Sequence, residues 1–289
     1  MSAALYHPVV LALLAAACYG GALVATQFGL RHVAPLTGAS VSITFTATLW
    51  LACTPLFLDW SAWQLTALLI FAMVGTFYPA VVMLLTYESN RALGPTLTGS
   101  VSSTSPLFAI IAAVIMLGER VSIPVASGGA VVVGGLVLLA LRAPMRTPPG
   151  WRLLLPLSGA MLRAAAQVLT KLGLAIWPSP FAAALVCYAT SFTVIWGVGA
   201  GRSPWHALQF TRRGVMWFMA VGAMNGSGVL LMYHALHQGT VAVVTPIVAT
   251  YPLFTALFSA VFLKREELTA RTLLGVAVVA AGVVTIVTG

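Results

Sequence analysis

The chain has 289 residues, of which 60% are hydrophobic and only 7% are charged. A soluble domain carries about 25% charged residues, so this composition excludes a soluble globular protein and predicts an integral membrane protein. The net charge of +9 is attributed to membrane orientation rather than to nucleic-acid binding, because the basic residues occupy short connections between apolar runs.

Ten apolar runs of helical length follow one another along the sequence. A helix needs about 20 residues to cross the hydrocarbon layer, and the runs lack the alternation of β-barrel strands. The first run has no basic residues before it, so we predict an uncleaved span rather than a signal peptide. We predict an all-α membrane protein with transmembrane helices over 8–30, 36–58, 64–87, 94–117, 122–142, 152–174, 179–200, 212–236, 240–263 and 270–288.

One stretch of sequence occurs twice, at 87–108 and, 146 residues later, at 233–254. The matched pairs include Tyr87 and Tyr233, Thr104 and Thr250, Pro106 and Pro252, and, at an offset of 147, Glu119 and Glu266. A repeat of this length fixes the architecture, so we predict two halves, 1–146 and 147–289, of five spans each. Because five is odd, the second half is expected to be inverted, with a substrate pathway between the halves.

Basic residues are distributed unequally between the connections. Eleven of the fourteen fall after odd-numbered spans: Arg31, Arg91, Arg142, Arg146, Arg152, Arg202, Arg212, Arg213, Lys264, Arg265 and Arg271. The positive-inside rule places these connections in the cytoplasm and both termini outside.

Acidic residues are absent from the predicted span interiors, where Arg163 is the one clear charge. The lack of a buried carboxylate disfavours proton-coupled export of cationic drugs. Arg163 and Gln167 are four residues apart and share a face of the sixth span. A cation at this depth is costly unless it faces a cavity or finds partners. Two interpretations remain: a cavity residue that attracts an anionic or carboxylate group, and a structural arginine that binds carbonyls or snorkels.

Other polar groups at middle depths complete the predicted substrate-binding set. The fourth span is rich in hydroxyls, including Ser103 and Thr104, which favour either a polar cavity wall or close helix packing. The remaining members are Tyr19, Tyr78, Asn225, Thr250 and Tyr251. Pro106 and Pro252 occupy equivalent places in the fourth and ninth spans. Each removes a backbone hydrogen bond, so we predict that both act as hinges.

The sequence contains no phosphate-binding glycine loop, Walker lysine or nucleophile elbow. Its cysteines, Cys18, Cys53 and Cys187, show no metal-ligand spacing. We therefore predict a protein that is not an enzyme and uses no cofactor, metal or nucleic acid. Its predicted partners are a small-molecule substrate and the lipid bilayer. Glycine runs at 128–135 and 275–282 suit close helix contact within a monomer or in a homodimer.

Two sets of residues resemble the EamA-type permeases of the drug/metabolite transporter superfamily. The first set is Ala92-Leu93-Gly94, Pro106-Leu107-Phe108, Leu117-Gly118-Glu119-Arg120 and the glycine run that starts at Gly128; the second is Pro252-Leu253-Phe254, Glu266 and the run that starts at Gly275. The resemblance covers the whole chain. It implies an alternating-access carrier related to amino-acid exporters, with a cavity lined by spans one, three, four, six, eight and nine, and usually with both termini inside.

The residues depart from the resemblance at one informative place. Exporters of aromatic amino acids in this family carry Tyr and Trp just before the proline of the fourth span, where this chain has Ser103 and Ser105. We therefore predict a secondary transporter that exports a small polar metabolite or amino acid, more polar than an aromatic amino acid, across a bacterial-type inner membrane. The alternative is a flippase or carrier of a lipid-linked or larger amphipathic substrate.

Overall fold

The computed structural model describes residues 3–58, 63–93, 98, 101–102, 104–140, 150–202, 210–263 and 270–288. Within these ranges the regular structure is helical and contains no strand, which confirms the predicted all-α class. The helices are α1 (Ala3–Gly29), α2 (Pro35–Phe57), α3 (Leu65–Phe77), α4 (Ala80–Leu93), α5 (Ser105–Leu117), α6 (Ile123–Ala140), α7 (Leu154–Ile176), α8 (Pro180–Arg202), α9 (Arg212–Gln238), α10 (Val241–Val248), α11 (Tyr251–Leu263) and α12 (Ala270–Thr288), with a 3-10 turn at Gly150–Leu153.

Most of these helices are long and apolar enough to cross a membrane. Seven segments of the described chain meet both requirements: His7–Gly29, Pro35–Phe57, Leu65–Leu93, Trp151–Ile176, Pro180–Gly197, Arg212–Gln238 and Val241–Phe262. Three further apolar helices are shorter, namely Ser105–Leu117, Ile123–Leu136 and Ala277–Thr288. The protein is therefore a multi-pass membrane protein, while the count of ten spans stays a prediction.

Local sequence explains where several helices begin and end. Pro35 and Pro180 are the first residues of α2 and α8, positions where proline's missing N–H costs no hydrogen bond. Thr211 caps α9, because its hydroxyl accepts a 3.1 Å hydrogen bond from the Gly214 N–H. Helix α5 ends at Gly118, whose φ of 64° lies in the left-handed region that glycine adopts without steric cost. This turn brings Glu119 off the helix axis.

The third span is broken in the middle and is longer than predicted. Helices α3 and α4 are separated by Tyr78-Pro79, where the proline lacks an N–H and disfavours a helical residue before it. Ser191 of α8 bridges the break, because its hydroxyl donates to the Gly75 carbonyl at 2.7 Å and accepts from the Ala80 N–H at 3.2 Å. The polar residues after Tyr87, which lie beyond the predicted span, are also helical, because α4 continues to Leu93.

The fourth and ninth spans break in the same way in both halves. Thr104 Oγ1 donates to the Val101 carbonyl at 2.7 Å, and Thr250 Oγ1 donates to the Ile247 carbonyl at 2.7 Å. These residues are related by the 146-residue offset. The two halves therefore share this hydrogen bond as well as the repeated sequence.

Pro106 and Pro252 follow these breaks by two residues. Each lies in the first turn of a new helix, α5 or α11, where a missing N–H is tolerated. The two prolines therefore open separate helices and do not bend a continuous one. Their action as hinges stays a prediction.

Packing between the halves follows a two-fold pattern. Helix α1 packs along α9, and α7, the counterpart of α1 in the repeat, packs against α3 and α4, the counterparts of α9. Two pairs of counterparts also pack against each other: α2 with α8, and α6 with α12. This is the arrangement that a two-fold axis between the halves would produce. The inverted orientation of the halves, and the division at 146, stay predictions.

Helices α6 and α12 approach each other at glycines. A Cβ atom built on Gly128 would lie 2.8 Å from the Gly282 carbonyl oxygen, and one built on Gly282 would lie 2.8 Å from the Gly128 carbonyl oxygen. Only glycine allows the two backbones to come this close. The glycine runs therefore serve helix contact within the chain.

We expect Gly128→Ala to lower the melting temperature in detergent by about 5 °C, because overpacking costs about 1–3 kcal/mol. Gly134→Ala is the matched control on the same helix, since a Cβ there has no neighbour within 4 Å among the described residues. The control should melt within about 1 °C of the wild type or slightly above it. Fluorescence-detected size-exclusion chromatography after heating measures both, and equal losses would contradict the contact.

Candidate functional site

A cavity of about 50 Å³ lies between the two halves. Residues of the first half that line it are Tyr19, Ala22, Leu23, Thr26, Tyr78, Pro79, Val82, Met83, Thr86, Tyr87, Asn90 and Thr98; those of the second are Arg163, Tyr188, Asn225, Val229 and Tyr251. A water molecule needs about 10–15 Å³ by this measure, so the space holds about four.

The cavity runs from the middle of the bundle toward one end. Helices α1 and α9 lie antiparallel: Thr211 Oγ1 is 3.4 Å from the His32 carbonyl at one end, and His7 Nδ1 is 2.5 Å from Gln238 Oε1 at the other. We call the first end the arginine face, after Arg31 and Arg212, and the second the clamp face. Lining residues reach the last turn of α4 at the arginine face.

Arg163 lies near the middle of α7 and lines the cavity at its inner end. Its Nε atom is buried and has no hydrogen-bond partner among the described residues. The guanidinium carbon lies 6.0 Å from the centre of the Tyr251 ring, a distance at which a cation–π interaction is favourable. Among the described residues, the charge is therefore held in the cavity wall by an aromatic face and not by a carboxylate.

Tyrosine hydroxyls surround the same level of the cavity. Tyr19 and Tyr78 place their hydroxyl oxygens 3.3 Å apart, and Tyr19 also donates to the sulfur of Met232 at 3.8 Å. Tyr188 is fully buried, and its hydroxyl has no partner in the described part of the chain. The inner end of the cavity thus offers polar groups on an otherwise apolar wall.

A second cluster of polar side chains lies between Arg163 and the arginine face. The Tyr87 hydroxyl is 3.4 Å from Ser42 Oγ and also interacts with the side chains of Thr26 and Asn225. Asn90 and Thr98 lie beyond this cluster. Both are buried, and Asn90 Nδ2 and Thr98 Oγ1 find no partner among the residues described.

The clamp face is closed by two charged side chains that bind backbone groups. The Glu119 carboxylate accepts from the N–H groups of Val241 at 2.9 Å and Ala242 at 3.1 Å. Lys171 Nζ donates to the carbonyls of Leu236 at 2.6 Å and Gly239 at 2.8 Å. The anion caps the start of α10 and the cation caps the end of α9, as helix dipoles favour. The α9–α10 turn is thereby tied to both α5 and α7.

The predicted site residues divide into two groups. Five of them line the cavity: Tyr19, Tyr78, Arg163, Asn225 and Tyr251. The others do not. Gln167 lies one turn from Arg163 toward the clamp face and donates to Met232 Sδ at 3.5 Å. Thr104 and Thr250 turn their hydroxyls into the helix breaks. Ser103 lies outside the described residues.

Several lining residues were not in the predicted set, namely Thr26, Thr86, Tyr87, Asn90, Thr98 and Tyr188. Asn90 was missed because the neighbouring charges Glu88 and Arg91 suggested that the third span had ended. Tyr188 was missed because a lone tyrosine in an apolar run usually packs. The signal that identifies Thr26 is its position seven residues after Tyr19, on one helix face.

The described residues contain no cluster of three or more His, Cys, Asp or Glu side chains that could hold a metal ion. Cys187 is buried and donates to the Phe71 carbonyl at 3.3 Å. Cys18 and Cys53 are half-buried and free. The cavity therefore offers aromatic, hydroxyl, amide and guanidinium groups for binding.

Comparison with known proteins agrees with this architecture. A crystal structure described only as that of a "protein" is similar to this chain with a TM-score of 0.77 and 15% sequence identity, over 96% of this chain and 95% of that one. At this identity the likeness concerns the fold. A comparison with curated proteins found no match. The EamA-like transporter family matches residues 7–141 and 150–288, which confirms the resemblance predicted from the sequence. The chain belongs to the EamA-like transporter family, whose members are membrane transporters.

Proposed function

We propose that the protein is a secondary transporter that exports a small, polar, carboxylate-bearing solute across the inner membrane by alternating access. Ten spans in two inverted halves form the carrier, and the solute binds where the halves meet. The observation that carries this proposal is Arg163, a guanidinium at middle depth that lines the cavity and has a buried, unpartnered Nε among the described residues.

The chemistry of the guanidinium supports a carboxylate as its ligand. Arginine presents a planar fork of N–H donors that matches the two oxygens of a carboxylate. At a separation of about 4 Å and an effective dielectric constant of about 20, the attraction is about 4 kcal/mol. A bound anion would thus offset the cost of holding Arg163 inside the membrane.

The closed clamp face supports alternating access. The cavity extends toward the arginine face, while Glu119 and Lys171 tie the backbone together at the opposite end. Carriers with two inverted halves expose a fixed site to each side in turn. In the proposed cycle, release of this clamp opens the second side after the arginine face has closed.

Arg163→Ala should reduce solute transport at least about tenfold, the effect of about 1.4 kcal/mol, while the protein still reaches the membrane. Arg163→Lys should keep partial activity, because it retains the charge but loses the fork. Arg152→Ala is the matched control, since Arg152 lies at the end of the bundle, 5.6 Å from the Trp151 ring. Efflux of a panel of small carboxylates from loaded proteoliposomes, followed by mass spectrometry, measures each variant.

The same vesicles test the alternative of lipid transport through scrambling of a fluorescent phospholipid. Normal efflux by Arg163→Ala would leave Arg163 a structural residue and remove the basis of the proposal. Lipid scrambling without carboxylate efflux would favour the flippase.

Glu119→Gln should loosen the clamp face, because it removes the charge that caps α10. Thr245 is buried, at 2% exposure, on that helix, so a Thr245→Cys thiol reports the opening in a background without Cys18, Cys53 and Cys187. Labelling by an impermeant maleimide added at the clamp face should become several-fold faster. Glu88→Gln is the control, since Glu88 pairs with Arg91 at 3.8 Å on the surface. Equal rates in both variants would contradict a clamp.

A further inference from the structure

We infer that the transported solute is an organic anion that lacks an ammonium group, a 2-hydroxy or 2-oxo acid rather than an amino acid. This inference rests on the proposed function and narrows its substrate class. It depends on three features of the cavity: the sign of its charge, the state of the carbonyls at the helix breaks, and the kind of hydrogen-bonding group left without a partner.

The described lining carries one ionised side chain, the Arg163 guanidinium, and no carboxylate. The two described acidic residues are engaged elsewhere: Glu88 with Arg91 at the surface and Glu119 at the clamp. Asp59, Glu266 and Glu267 lie outside the described residues, in predicted connections between spans. An α-ammonium group beside the carboxylate on Arg163 would meet a like charge and no counter-ion.

Backbone carbonyls at broken helices are the usual substitute for a carboxylate in binding cations. In this chain a hydroxyl already donates to a carbonyl at each of three breaks, at 2.7 Å in every case. The pairs are Ser191 with Gly75, Thr104 with Val101, and Thr250 with Ile247. At each of these breaks one carbonyl is therefore already engaged by a hydroxyl of the protein.

Two of the unpartnered groups in the cavity wall can only donate a hydrogen bond. Arg163 Nε lies at the inner end and Asn90 Nδ2, whose residue is 7% exposed, lies toward the arginine face, and neither has a partner among the described residues. The hydroxyls of Tyr188 and Thr98 also lack a described partner, and they can donate or accept. Carboxylate, hydroxyl and keto oxygens accept hydrogen bonds, whereas an ammonium group can only donate. A hydroxy or oxo acid therefore offers acceptor oxygens to the donor-only groups, which an ammonium group does not.

Pairs of acids that differ only at carbon 2 test the inference on the full chain in nanodiscs. We would compare lactate with alanine, 2-hydroxyisocaproate with leucine, and 3-phenyllactate with phenylalanine by the concentration that gives half of the maximal thermal stabilisation. The hydroxy acid of at least one pair should act at a concentration at least about tenfold lower than its amino acid, because unpaired buried polar groups discriminate strongly. This stabilisation should be lost in Arg163→Ala and kept in Arg152→Ala.

The outcomes separate this inference from the proposed function. If an amino acid stabilises the protein as well as or better than its hydroxy partner, and does so through Arg163, the inference is overturned while carboxylate transport stands. If no member of any pair stabilises the protein, both fail. Stabilisation by a hydroxy acid that survives in Arg163→Ala would also overturn the inference, because the anion would then bind elsewhere.

Discussion

Within a bilayer every backbone N–H and C=O needs a partner from the protein, because the hydrocarbon supplies none. This chain interrupts three spans, and a hydroxyl side chain binds a backbone carbonyl at each break. Ser191 reaches across from α8 to join the two sides of the break at Tyr78-Pro79. At the other two breaks Thr104 and Thr250 donate from both the backbone N–H, at 3.1 Å, and the hydroxyl, at 2.7 Å, to the carbonyls of Val101 and Ile247. Tyr78 and Pro79 at the first break and Tyr251 next to the third line the cavity, so the breaks contribute to its wall.

The electrostatic character of the cavity depends on Arg163, whose guanidinium is the one ionised side chain in the described lining. The Tyr251 ring lies 6.0 Å from the guanidinium carbon, and an aromatic face stabilises a cation without neutralising it, as the proposed anion site requires. Most of the polar lining comes from spans one, three, six, seven and eight, and spans four and nine add Thr98 and Tyr251.

Sequence patterns predicted the features that depend on local signals. Apolar runs and the 146-residue repeat revealed the spans, and the cost of a buried cation singled out Arg163. The sequence could not show that Ser191 bridges a break more than 100 residues away. Asn90 was assigned to a connection because the charges of Glu88 and Arg91 suggested that the third span had ended. Gln167 shares a helix face with Arg163, yet contact with Met232 turns its amide toward a neighbouring helix. Such choices depend on tertiary partners that periodicity does not reveal.

The repeat also explains why the two faces of the bundle need not close equally tightly. At the clamp face Glu119 binds the N–H groups of Val241 and Ala242, and Lys171 binds two carbonyls. The sequence places Pro95, which has no N–H, at the position equivalent to Val241, and the neutral Gln27 at that of Lys171. A symmetric contact at the arginine face would lack one donor and one charge. In the proposed carrier this difference between the halves favours closure at the clamp face, because the charge-assisted bonds are found there.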